Sequence, residues 1–169
     1  GYKDPQFLNT RFRLNSEFQD IPTGNIQNVE LERPFFSLTT RVAGGASFDH
    51  FQKMEKVFES GNEISRHDRE HLATKPYLGL WVNNDPLNAM RTSLTYRYTE
   101  DTYKPQQSTL ASAMPENQAL SGPILGFTYT QSDYIKETFI EKAGRVEDVN
   151  LGHQAQVGVG YVSKNLGAT

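Results

Sequence analysis

Thr92-Ser93-Leu94-Thr95-Tyr96-Arg97-Tyr98-Thr99 decides the fold class. In an extended chain Leu94, Tyr96 and Tyr98 fall on one side. Ser93, Thr95, Arg97 and Thr99 fall on the other, which is the period of two that defines a strand. The same pattern recurs in both directions along the chain. Leu125, Phe127 and Tyr129 alternate with Gly126, Thr128 and Thr130, and Ala155, Val157, Val159 and Tyr161 with Gln154, Gln156, Gly158 and Gly160. Near the start, Phe12, Leu14 and Phe18 oppose Arg11, Arg13, Asn15, Glu17 and Gln19. Segments 26–36, 42–51 and 71–82 add three more strands. Pro34 belongs at a strand end or bulge because it cannot donate to a ladder. Pro22-Thr23-Gly24-Asn25 and Asn83-Asn84-Asp85-Pro86 are turn signals. The expectation is one all-β domain over residues 1–169, an antiparallel up-and-down meander of about seven to eight strands. Long loops are expected near 54–70, 102–122 and 137–150. Segment 49–60, with Phe51, Met54, Val57 and Phe58 at mixed three- and four-residue spacing, admits a helix as its alternative.

The composition narrows what such a chain can be. Of 169 residues, 36% are hydrophobic and 11% aromatic. That is apolar-poor but aromatic-rich, as strands with one wet face would be. A net charge of −3 gives no electrostatic case for nucleic acid as a partner. With no cysteine, disulfides and thiolate metal sites are excluded, and an oxidising space such as the periplasm is compatible. No run approaches the roughly 18 apolar residues of a membrane-spanning helix. Gly1 opens the chain without a signal-peptide pattern, as a mature protein or a piece of a longer one would.

Alternation does not say where the apolar side points. In a soluble sandwich it faces a second sheet; in a membrane barrel it faces lipid and the polar side lines the lumen. The strands are long, near the roughly 9–11 residues that span a bilayer. Short turns alternate with long polar connections. Phe35-Phe36, Trp81, Tyr98 and Tyr103 sit near strand ends, as an interfacial aromatic girdle would. These features favour a partial transmembrane β-barrel over a soluble ligand-binding sandwich or lipocalin-like module.

Two phrases carry a family resemblance. Asp4-Pro5-Gln6-Phe7-Leu8-Asn9-Thr10 runs into the alternating strand, and Glu32-Arg33-Pro34-Phe35-Phe36-Ser37 is followed by Thr40-Arg41-Val42-Ala43-Gly44-Gly45. Together with Gly144-Arg145-Val146-Glu147-Asp148-Val149-Asn150-Leu151-Gly152, they resemble the Omp85 superfamily of outer-membrane barrels, which includes the BamA and TamA assembly proteins and bacterial surface antigens. Asn9 stands where the family phrase has Gly, and no Arg-Gly-Phe or Arg-Gly-Tyr is present. The resemblance implies the first part of a longer barrel in the outer membrane of a Gram-negative bacterium. It implies no enzyme activity and no cofactor. The implied partners are the lipid bilayer, outer-membrane client proteins and periplasmic domains of the same chain. The implied role is insertion or translocation of outer-membrane proteins by strand templating. The edge that would template is Arg11, Phe12, Arg13, Leu14, Asn15, Ser16, Glu17 and Phe18.

One motif points to different chemistry. His67-Asp68-Arg69-Glu70-His71 fits the H-x-x-E-H pattern of inverted zinc peptidases. On a helix, His67 and His71 would share a face and could hold zinc with a third ligand. The flanks lack an apolar stripe and Pro76 ends any helix soon after, so a solvated loop is the favoured reading. The metal candidates are His67 and His71; no catalytic or cofactor-binding residue is assigned.

Overall fold

The computed structural model describes residues 1–106, 114–138, 146–163 and 166, with the backbone alone for 134–138 and 146–150. The elements are β1 (Tyr2–Asp4), a 3₁₀ turn (Phe7–Asn9), β2 (Arg13–Ile21), β3 (Gly24–Arg33), β4 (Val42–Glu59), β5 (Asn62–Trp81), β6 (Asn88–Pro105), β7 (Gln118–Gln131), β8 (Tyr134–Thr138), β9 (Val146–Asn150) and β10 (Gln154–Gly160). Eight strands form one antiparallel sheet in the order β1-β2-β3-β4-β5-β6-β7-β10, and β8 pairs with β9 in a second, two-stranded sheet. The all-β meander expected from the alternation is therefore present. The sheet is open, with β1 and β10 as its outer strands.

The largest departure from the sequence expectation lies at 54–70. This stretch is neither loop nor helix. It is the far half of a hairpin in which β4, 18 residues long, and β5, 20 residues long, pair throughout. Some of its charges meet diagonally across the strands: Lys56 reaches Glu63 at 3.5 Å and Arg69 reaches Glu55 at 3.6 Å. The residues directly opposite include the like-charged Lys56↔Arg66 and Lys53↔Arg69, and in sequence the stretch looks like a solvated loop. The hairpin turns through Ser60 and Gly61 at φ 50° and 84°, the left-handed pair that matches strand twist. The loop expected near 102–122 is shorter than its sequence range. β6 runs to Pro105 and β7 starts at Gln118, and 107–113 lie outside the described residues. At 137–150 the ends belong to β8 and β9, and 139–145 lie outside the described residues.

Register sorts the side chains into two faces. On the first, Gly44, Leu78, Leu94, Leu125 and Val159 form one row across five strands. Val42, Leu80, Thr92, Phe127 and Val157 form the next. This row of large apolar side chains is not a core, because Leu78, Leu94, Leu125 and Val159 are 54%, 57%, 59% and 70% exposed. Among the described residues the only buried hydrophobic side chains are Ala43, Ala89 and Ala119. No second layer covers the sheet within the described residues.

Candidate functional site

The exposed apolar face is the first feature a function must explain. Along β5 it runs from Leu80 through Leu78, Pro76 and Thr74 to Leu72, with its partners set by the register. At about 3.4 Å per residue this band runs roughly 27 Å along the strand. Beyond Leu72 the same face turns polar: His50 and Glu100 flank Leu72, and Gln52, Glu70 and Lys104 follow. Lys104 Nζ donates to Glu70 at 3.1 Å, and His50 Nε2 lies 3.3 Å from the same carboxylate. The strands thus continue past the band as a charged, water-compatible wall.

The opposite face is polar over the height of the band. Arg13 pairs with Glu32, which also accepts from the Tyr77 hydroxyl at 3.0 Å. Asn15 donates to Glu30 at 2.9 Å and Asn28 to Asp49 at 2.7 Å. Lys75 and Arg97 sit on this face, opposite Ser47 and Gly122. Trp81 is on it too, paired with Arg91, so Trp81 is not part of an aromatic rim on the apolar face. Tyr103 is likewise on the polar face, opposite Arg69. Tyr98 belongs to the apolar face with Thr74 and Phe48. Phe35 folds back onto the polar face, its ring carbons 3.0–3.1 Å from where a Cβ on Gly79 would lie, with the Arg91 guanidinium 4.6 Å from its centroid.

The His67 to His71 motif lies in β5, not on a helix. His67, Arg69 and His71 share the polar face, while Asp68 and Glu70 point the other way. Four strand residues separate the two histidines by about 13 Å, too far to ligate one zinc. Among the described residues no group of three His, Asp or Glu side chains could hold a metal ion. The helical geometry that the zinc-peptidase reading requires is therefore replaced by a cross-strand network. Asp101 accepts from His71 Nδ1 at 2.9 Å and from Arg69 Nε at 2.9 Å. Phe51 stacks on the His71 ring at 4.8 Å, and Tyr103 meets His67 edge-on at 5.5 Å. His67 is buried, with Nε2 3.7 Å from Glu55 and without a hydrogen-bond partner. Burial opposes ionisation of Asp101, but its bonds to His71 and Arg69 outweigh that and hold its carboxyl below the ordinary range.

The proposed templating edge is placed differently from its sequence position. Arg11 and Phe12 precede β2, and Arg13 to Phe18 lie within it. β2 is not the outermost strand. β1 pairs outside it as Tyr2↔Ser16, Lys3↔Asn15 and Asp4↔Leu14, covering the middle of the stretch. Among the described residues the backbone groups of Glu17 to Ile21 face no strand on that side.

No protein-family model, curated protein or solved structure matches the chain.

Proposed function

We propose that this chain is part of the wall of an outer-membrane β-barrel of the Omp85 type in a Gram-negative bacterium. Its apolar face would contact lipid, and its polar face would line the lumen. The observation that carries the reading is the apolar band from Leu80 to Leu72, roughly 27 Å along the strand. That is close to the length of about 9–11 residues with which a tilted strand crosses a bilayer. A soluble sandwich would bury these leucines against a second sheet, whereas Leu78 and Leu94 are more than half exposed. A surface this apolar needs a partner in water. The role in insertion or translocation of outer-membrane proteins is carried by the Asp4 and Arg33 phrases. The edge strand that would offer unpaired N–H and C=O groups to a client is then β1 with the open part of β2.

Reconstitution tests both levels. The chain should gain strand structure and float with phospholipid vesicles, and remain aggregated in plain buffer. A monomer with sharp, dispersed NMR lines in detergent-free buffer would overturn the membrane reading. With vesicles loaded, a small outer-membrane barrel supplied unfolded should insert faster than into empty vesicles. An unchanged insertion rate would remove the assembly role while leaving the barrel.

A further inference from the structure

The end of β2 and β3 away from their connecting turn gathers positive charge around one ring. The guanidinium of Arg11 lies 4.4 Å from the centroid of Phe36, and that of Arg33 lies 6.0 Å from the same centroid. Among the described residues neither arginine makes an ion pair, and Arg33 Nε is buried without a hydrogen-bond partner. The carboxylates at this end are engaged elsewhere. Glu32 holds Arg13 and Tyr77, Asp85 accepts from Asn88 and from the Leu87 N–H, and Asp4 accepts from Tyr2 and from the Gln6 N–H. A groove of about 630 Å³ opens beside the ring, lined by Arg11, Phe36 and the Glu32-paired Arg13 but not by Arg33, which reaches the ring from outside it. Like charges brought together with no carboxylate between them are stabilised by an anion. Two guanidinium forks fit the oxygens of a phosphate better than a single carboxylate.

We infer that Arg11 and Arg33, held on Phe36, form a binding site for a phosphoryl anion, that of a phospholipid headgroup. This rests on the membrane reading above and deepens it. Arg33 stands on the apolar face, in the row of Gly44 and Leu78, and Phe36 is half exposed beside it. Arg33 ends β3 and Arg11 precedes β2, so the site lies at the ends of these two strands, where headgroups would begin. Because the whole chain is negative at −3, general charge attraction cannot draw it to an anionic surface.

Flotation with phosphatidylcholine vesicles, with and without phosphatidylglycerol, tests the site. The chain should prefer the anionic vesicles, and Arg11→Gln should cut that preference about fivefold. Arg11→Gln with Arg33→Gln should abolish it, while Lys75→Gln on the polar face should leave it intact. Circular dichroism of each variant separates lost binding from lost folding, and exposed Arg11 alone suffices if Arg33→Gln does not fold. Competition by inorganic phosphate would assign the site to a soluble phosphate; persistence of the preference would assign it to the headgroup. Equal flotation on both vesicles, or an equal loss in Lys75→Gln, overturns the site and leaves the membrane reading standing. Flotation on neither overturns both.

Discussion

A side chain on Gly79 would meet the ring of Phe35. The nearest ring carbons lie 3.0 and 3.1 Å from an ideal Cβ, closer than carbon atoms sit at their optimum. Phe35 also packs under Arg91, so the ring has little room to withdraw. Gly79→Val should cost about 1–3 kcal/mol, seen as a lower urea midpoint in detergent micelles. Asn9 is informative in another way. It sits at φ 56° beside Leu8 at φ 53°, in the left-handed region that Gly enters freely and Asn better than most other residues. An Asn at this position therefore suits the backbone the turn adopts. Asp101, which lies beyond the apolar band, has a folded-state pKa held down by His71 and Arg69 after burial has pushed the other way. A lowered carboxylate pKa stabilises above the unfolded value and is lost as pH falls through the folded one. Protection of the β5–β6 amides in hydrogen exchange should thus drop below the ordinary carboxylate range. Asp101→Asn should lower it by about 1–3 kcal/mol at neutral pH and remove that acid step.

At the scale of the strand, parity carries the function. Leu94 and Thr95 are neighbours in sequence but face opposite sides of β6. Leu94→Arg should cost about 2–4 kcal/mol of insertion free energy, measured as a shift in vesicle partitioning, while Thr95→Arg should change it little. Equal effects would mean that both faces meet the same solvent. Thr92 to Thr99 was legible from sequence because its alternation is one of hydropathy. The pairing of 54–70 was not, because there charged residues fall on both faces and hydropathy does not alternate. Glu55, Lys56, Glu63 and Arg69 look alike to any local reading. Only the register that sets Lys56 near Glu63 and Glu55 near Arg69 shows them to be a strand pair.

At the scale of the whole molecule, the open sheet leaves β10 exposed on both faces and, among the described residues, paired on one edge only. Val157 and Val159 project exposed from the apolar face of that edge strand, and an exposed apolar edge strand recruits other strands. Val157→Lys should slow aggregation in plain buffer, followed by light scattering, and weaken vesicle binding at the same time. By itself the sequence determined the strand class, the meander and, within each strand, the separation of Leu94, Leu125 and Val157 from their polar neighbours, since parity is a local property of an extended chain. Only the tertiary structure decided three other matters. It showed that this side stays exposed, because exposure depends on whether another layer packs there. It placed His67 and His71 too far apart for one metal, because a strand spaces them where a helix would gather them. It brought Arg11 and Arg33 onto one phenyl ring, because residues 22 apart in the chain meet only when β2 and β3 pair and the Phe36 loop closes over their ends.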